Sequence, residues 1–217
     1  MSNQFVQALN LAAGLILLTA VLTLWIRRVS TLVRLIALQG VALAVLVGTA
    51  AWHGHDQQLG LLAFGILALK AFVLPYLLRR VSTQPGEAET DPLVNVPASL
   101  LAAAALAAIS YAVTRPLVAL VPSAQVRATP VGLTIALIGL FVLLTRRRAV
   151  SQVIGFILID NGIAVVAFLT TSGVPLVVEL GSALDVLLAI LVLQILTNRI
   201  QAVFGDTDLD GLRELRD

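Results

Sequence analysis

The chain has 217 residues, 59% hydrophobic and 12% charged, with a mean hydropathy of +1.00. Soluble domains carry about a quarter of their residues as charges, so this composition excludes one and points to an integral membrane protein. Its formal charge of +2 comes from arginines beside apolar runs and implies no nucleic acid; the absence of cysteine, with only His53 and His55, excludes thiolate, iron–sulfur and bis-histidine haem chemistry.

Seven apolar stretches of roughly 17 to 23 residues are each long enough to cross hydrocarbon as a helix. The first, Phe5 to Ile26, ends in Trp25, Arg27 and Arg28, an interfacial anchor; no basic segment precedes it, so it reads as a retained helix and not a signal peptide. Span two is Leu32 to Trp52, with Arg34 near enough to its end to snorkel. A short loop with His53, His55 and Asp56 follows, without a third ligand that would make a metal site. Span three, Leu59 to Leu78, contains Lys70, the only lysine, about 12 Å from the inner end at 1.5 Å per residue. Pro75 lacks the N–H that would bond to Ala71, which predicts a disturbed helix one turn below Lys70.

An inner loop from Val81 to Asn95, rich in turn formers and acids, leads to span four, Val96 to Val113. Span five, Thr129 to Thr145, is short and ends in the basic anchor Arg146, Arg147 and Arg148. Span six, Ala149 to Thr170, carries Asp160 near its middle and a helix-contact stripe of Gln152, Gly155, Ile159 and Gly162. The link Thr170 to Pro175 is so tight that span seven, Val174 to Leu196, must run antiparallel beside it. Span seven holds Glu179 and Asp185, roughly 240° apart around the helix, with Asp185 on the same face as Gly181 and Ser182. In the tail, Asp206, Asp208, Asp210 and Gly211 imitate the opening of a calcium loop but lack its closing glutamate and exiting helix. Leu209, Leu212 and Leu215 suit a short amphipathic turn on a partner's surface.

Eight arginines (27, 28, 79, 80, 146, 147, 148 and 199) fall in one set of loops, against Arg115 and Arg127 in the other. This bias places the amino terminus outside and the carboxyl terminus in the cytoplasm, as seven spans require. The expected fold is therefore an all-α integral membrane protein of seven transmembrane helices. No internal repeat supports an inverted-repeat transporter.

A charge at the centre of a span costs at least about 2.5 to 3.5 kcal/mol, so Lys70, Asp160, Glu179 and Asp185 demand a reason. One reading is an interhelical ion pair of Lys70 with Asp160 or Asp185. The other is a hydrated proton path, since desolvation moves buried carboxylates and lysines toward neutrality from opposite sides.

The segments Gly155 to Ile163, with Asp160-Asn161, and Val178 to Leu187, with Glu179 and Asp185, resemble the hydrogenase-4 component E family. Those proteins are membrane subunits of group 4 hydrogenase and formate hydrogenlyase-like complexes. The resemblance extends to Gln39, to Lys70 through Pro75, and to Asn95-Val96-Pro97. From Arg146 onward the chain is also similar to the K subunit of respiratory complex I and the C subunit of multisubunit sodium/proton antiporters, through the basic loop, Ile154-Gly155, Asn161 and Asp185. It departs from them in places. Ile157 stands where the K subunit has its first acid, Asp160 comes a turn later where component E has glutamate, and Lys70 has no K-subunit counterpart.

The resemblance implies a membrane region over residues 1–145, a K-like three-helix unit over 129–199 that shares span five, and a cytoplasmic tail over 200–217. It further implies a subunit of an energy-converting complex in a bacterial or archaeal cytoplasmic membrane. That subunit would perform no redox step and hold no cofactor, and its partners would be antiporter-like subunits and a quinone-side or hydrogenase-side subunit of the membrane arm. Lys70, Asp160, Glu179 and Asp185 would lie on the proton pathway. A stand-alone secondary transporter and a purely structural assembly subunit are the alternative classes.

Overall fold

Hydrocarbon offers no hydrogen bonds, so a spanning backbone must satisfy its own N–H and C=O groups, and apolar runs of this length resolve as helices. A computed structural model describes residues 3–82, 93–120, 123, 125–146 and 149–171. Within them the helices are α1 (Asn3–Trp25), α2 (Val29–Gly54), α3 (Gln57–Ile66), a π-helical turn (Leu67–Val73) and α4 (Leu74–Ser82). After these come α5 (Val96–Leu120), a 3-10 turn (Val126–Ala128), α6 (Thr129–Thr145) and α7 (Ala149–Thr171). The third apolar stretch is thus α3, the π turn and α4 in series. The described residues hold six helical segments long and apolar enough to cross a membrane, as an all-α membrane protein requires. The expected seventh span, Glu179, Asp185 and the tail lie outside the described residues, as does most of the loop from Val81 to Asn95.

Local chemistry fixes several helix ends. Asp56 Oδ1 accepts from the N–H of Gln58 at 2.8 Å and of Leu59 at 3.3 Å, capping α3. His55 takes the left-handed conformation, φ 51°, that closes α2. Asn95 Oδ1 accepts from Ala98 N–H at 3.0 Å and caps α5. Helix α5 runs to Leu120, seven residues past the expected end at Val113. Arg115-Pro116 does not stop it, because an interior proline removes one hydrogen bond without forbidding helical backbone, and Arg115 is exposed.

Among the described helices α6 and α7 form the tightest pair, and glycines are the reason. A Cβ on Gly139 would stand 2.6 Å from the Ile159 nitrogen, and one on Gly155 would stand 2.7 Å from the Leu143 nitrogen. Gly132 and Gly162 meet in the same way one heptad away, so two antiparallel backbones touch with nothing between them. The expected contact stripe on span six holds for Gly155 and Gly162 and for the backbone of Ile159 between them. Gln152 instead faces outward, its Nε2 donating to the Arg146 carbonyl at 3.2 Å. Helix α2 lies antiparallel to the third span, with Gly40 against Lys70 and Gly48 against Ala63. Ile16, Val33, Leu43, Val47, Ile138, Leu158 and Val165 fill the core between these helices. Helix α5 is peripheral. Only Ser99, Ala103, Ser110 and Thr114 are buried on it, and its hydroxyls return to carbonyls of its own chain, as in Thr114 Oγ1 to Ser110 O at 2.7 Å.

Arg146 departs from the expectation of an outward-facing anchor. It is 5% exposed, and its Nη2 donates to the Thr23 carbonyl at 3.1 Å. Thr23 belongs to the last turn of α1, where carbonyls have no intrahelical donor, so the guanidinium caps α1 from the end of α6. Burial, and after it the charge of Arg27, holds the Arg146 guanidinium below its ordinary pKa.

Candidate functional site

The π-helical turn begins three residues before Lys70. Leu74 N–H bonds to Leu69 C=O, five residues back, where an α-helix would reach four. Pro75 follows at once and brings no N–H of its own. The disturbance expected one turn below Lys70 is therefore a widened turn that contains Lys70. On the opposing helix, a Cβ on Gly40 would stand 2.7 Å from the carbonyl carbon of Lys70 and 2.8 Å from its oxygen. Any residue larger than glycine would push α2 off the turn.

Lys70 is 1% exposed, and its Nζ donates to Asp160 Oδ2 at 2.7 Å. Asp160 sits on α7 with its side chain 14% exposed, ninety residues away in sequence. Of the two partners considered for Lys70, this structure pairs it with Asp160; Asp185 and Glu179 lie outside the described residues. The ammonium and carboxylate form a short charge-assisted hydrogen bond, so one proton transfer along it would convert an ion pair into a neutral pair with no change in net charge.

Beside this pair runs an amide link that sequence reasoning left without a role. Gln39 Nε2 donates to the Ile16 carbonyl at 3.2 Å, and Asn161 Nδ2 donates to Gln39 Oε1 at 2.9 Å. Both side chains are 0% exposed. A backbone carbonyl can only accept, which fixes Gln39 with nitrogen toward α1 and oxygen toward α7. The available signal was a glutamine inside an apolar span, next to Gly40, and an asparagine next to Asp160.

His53 stacks on Phe5 with ring centroids 4.4 Å apart, and His55 ends α2. Among the described residues no three metal-ligating side chains cluster.

The uncharacterized protein Rv0085 of Mycobacterium tuberculosis is 46% identical to this chain over 220 residues, covering 100% of both. The chain belongs to the same family as that protein. Hydrogenase-4 component E of Escherichia coli (strain K12) is 24% identical over 208 residues, covering 95% of this chain and 96% of the relative; the Shigella flexneri protein matches to the same extent. No family model and no solved structure matches. Membership in the mycobacterial protein's family rests on identity across the full length, and the likeness to component E is distant but spans nearly the whole chain.

Proposed function

We propose that this chain is a non-redox membrane subunit of a hydrogenase-type, energy-converting complex, in which Lys70 and Asp160 form one station of a proton path. The observation that carries the proposal is the 2.7 Å bond between the only lysine, which is buried, and a half-buried mid-span carboxylate. Each charge is costly inside a bilayer, and interhelical contact alone is available more cheaply from glycine packing of the α6–α7 kind. The near full-length likeness to hydrogenase-4 component E supports the assignment to a multisubunit complex.

In this reading the Lys70–Asp160 pair exchanges between charged and neutral forms. A charge arriving in a neighbouring antiporter-like subunit selects the form; from the neutral form Asp160 gives up its proton toward Glu179 and Asp185, and Lys70 takes a replacement proton from the path behind it, which restores the ion pair. The redox step belongs to a partner, and this chain supplies proton-carrying side chains.

The test is proton uptake into vesicles driven by the intact complex, normalised to its amount in the membrane. Asparagine at Asp160 or Asp185 keeps size and hydrogen-bonding capacity but removes the titratable proton. Both variants are expected to assemble and to lose most uptake, while glutamate at either position retains a substantial part. Full uptake by Asp160→Asn and Asp185→Asn would leave the pair a structural tie. Co-purification with antiporter-like and metalloenzyme subunits, identified by peptide mass spectrometry, tests the complex itself.

A further inference from the structure

The amide link and the ion pair leave α7 from adjacent residues, one to α2 and the other to the π turn that rests on α2. Gln39 and Gly40 are neighbours on α2, and Asp160 and Asn161 are neighbours on α7. Gln39 bonds Asn161, while Lys70 rests its backbone on Gly40 and its Nζ on Asp160. Glycine packing locks α7 to α6, so the two turn together; consecutive residues leave a helix about 100° apart, so one contact lets that unit pivot against α2 and the third span whereas two contacts from adjacent residues fix its rotation. A swing of about 20° at a side-chain radius of roughly 5 Å moves a carboxylate by nearly 2 Å, which takes a 2.7 Å bond out of range.

We infer that Gln39 and Asn161 are positioning residues: their amide bond, anchored to the Ile16 carbonyl of α1, sets the rotation of α7 that brings Asp160 onto Lys70. Stability alone accounts poorly for this pair. Asn161 Oδ1 is buried and accepts no hydrogen bond among the described residues, a penalty larger than the average worth of an interhelical hydrogen bond in a membrane. Two leucines would avoid that penalty, but they would place no directional restraint on α7. Thr19 Oγ1 also donates to the Ile16 carbonyl, at 2.8 Å, so the anchor point is itself held by a second donor.

The inference refines the site proposed above, and its test is independent of transport. A membrane-permeant carbodiimide activates a buried carboxylate, and an amine in contact displaces the urea to leave an amide. The yield of the Lys70–Asp160 cross-link, read by peptide mass spectrometry on the protein in its native membranes, therefore reports their proximity. Gln39→Leu and Asn161→Leu should each lower that yield about fivefold, the factor one net hydrogen bond contributes to an equilibrium. Gln39→Asn, one methylene too short, should do the same should the leucine variants not accumulate.

The exchanged pair Gln39→Asn with Asn161→Gln keeps the combined reach of the two amides and should restore most of the yield. Wild-type yield in Gln39→Asn, or an exchanged pair no better than its worse single variant, would overturn the inference. Transport unaffected by Asp160→Asn would remove the proton role while leaving the positioning role standing, because the cross-link reads geometry only.

Discussion

Gly40 and Gly48 lie two turns apart on α2 and face the same neighbouring span, yet they carry opposite expectations. At Gly40 a methyl group would stand 2.7 Å from backbone of Lys70, and backbone cannot rotate away as a side chain can. Gly40→Ala is expected to destabilise the protein by about 1 to 3 kcal/mol, the range for overpacking. At Gly48 the nearest atom to a new Cβ is Ala63 Cβ at 3.8 Å, an ordinary contact. Gly48→Ala should be neutral or stabilising by up to about 1 kcal/mol, because alanine loses less conformational freedom in a helix. Thermal unfolding in detergent with both variants side by side checks the contrast, and equal behaviour would contradict the described contact of α2 with the π turn. At this scale the intramembrane charges were legible in the sequence, because a lysine and an aspartate inside apolar runs are rare enough to stand out. Which acid met Lys70 was not, since Asp160 and Asp185 both lie far from it in sequence and only three-dimensional packing chooses.

Helices were legible from length and hydrophobicity, and α6 was placed residue for residue by the Thr129 to Thr145 run between a proline-bearing start and a basic end. What resisted reading were features set by neighbours. The π turn has the same apolar composition as the α-helix around it, and nothing local marks the change except Pro75 just beyond. Arg146 looks in sequence like the two arginines that follow it, and only the arrival of α1 beside the end of α6 turns it inward. That contact gives a prediction. Arg146→Ala removes a charged donor from the Thr23 carbonyl, and it should cost about 1.5 to 3 kcal/mol, the range for hydrogen bonds to charged groups. Arg34→Ala, on an exposed side chain of α2, should change stability by less than about 0.5 kcal/mol. Unfolding midpoints measured together distinguish a cap from a surface anchor, and equal shifts would reject the cap.

Across the molecule, two cross-links between helix ends gather one set of termini. Arg146 reaches Thr23 at the end of α1, and Leu93 N–H bonds to the Thr145 carbonyl at 2.9 Å ahead of α5. Arg27, Arg28 and Arg146 therefore share one end of the bundle, as the charge bias expects of the cytoplasmic side. The expected outcome for a reporter fused after residue 82 is activity in the cytoplasm only, and for one inserted after Asp56 activity in the periplasm only. The reverse pattern would invert the orientation.

The π turn also has an arithmetical consequence for the chain's length. A wide turn holds one residue more than the α-helix it interrupts, so it amounts to a single-residue insertion in span three. Deleting one residue between Leu67 and Val73 should return an uninterrupted α-helix with its two flanks still in phase, because the wide turn absorbs its extra residue by turning less per residue. Tyr76, beyond the wide turn, would keep its present direction relative to α3, while Lys70, inside it, would be turned to a new one. Relatives that lack the extra residue would have to place their buried cation at a different position in the span, which makes the residue count of this segment a ruler for comparing members of the family.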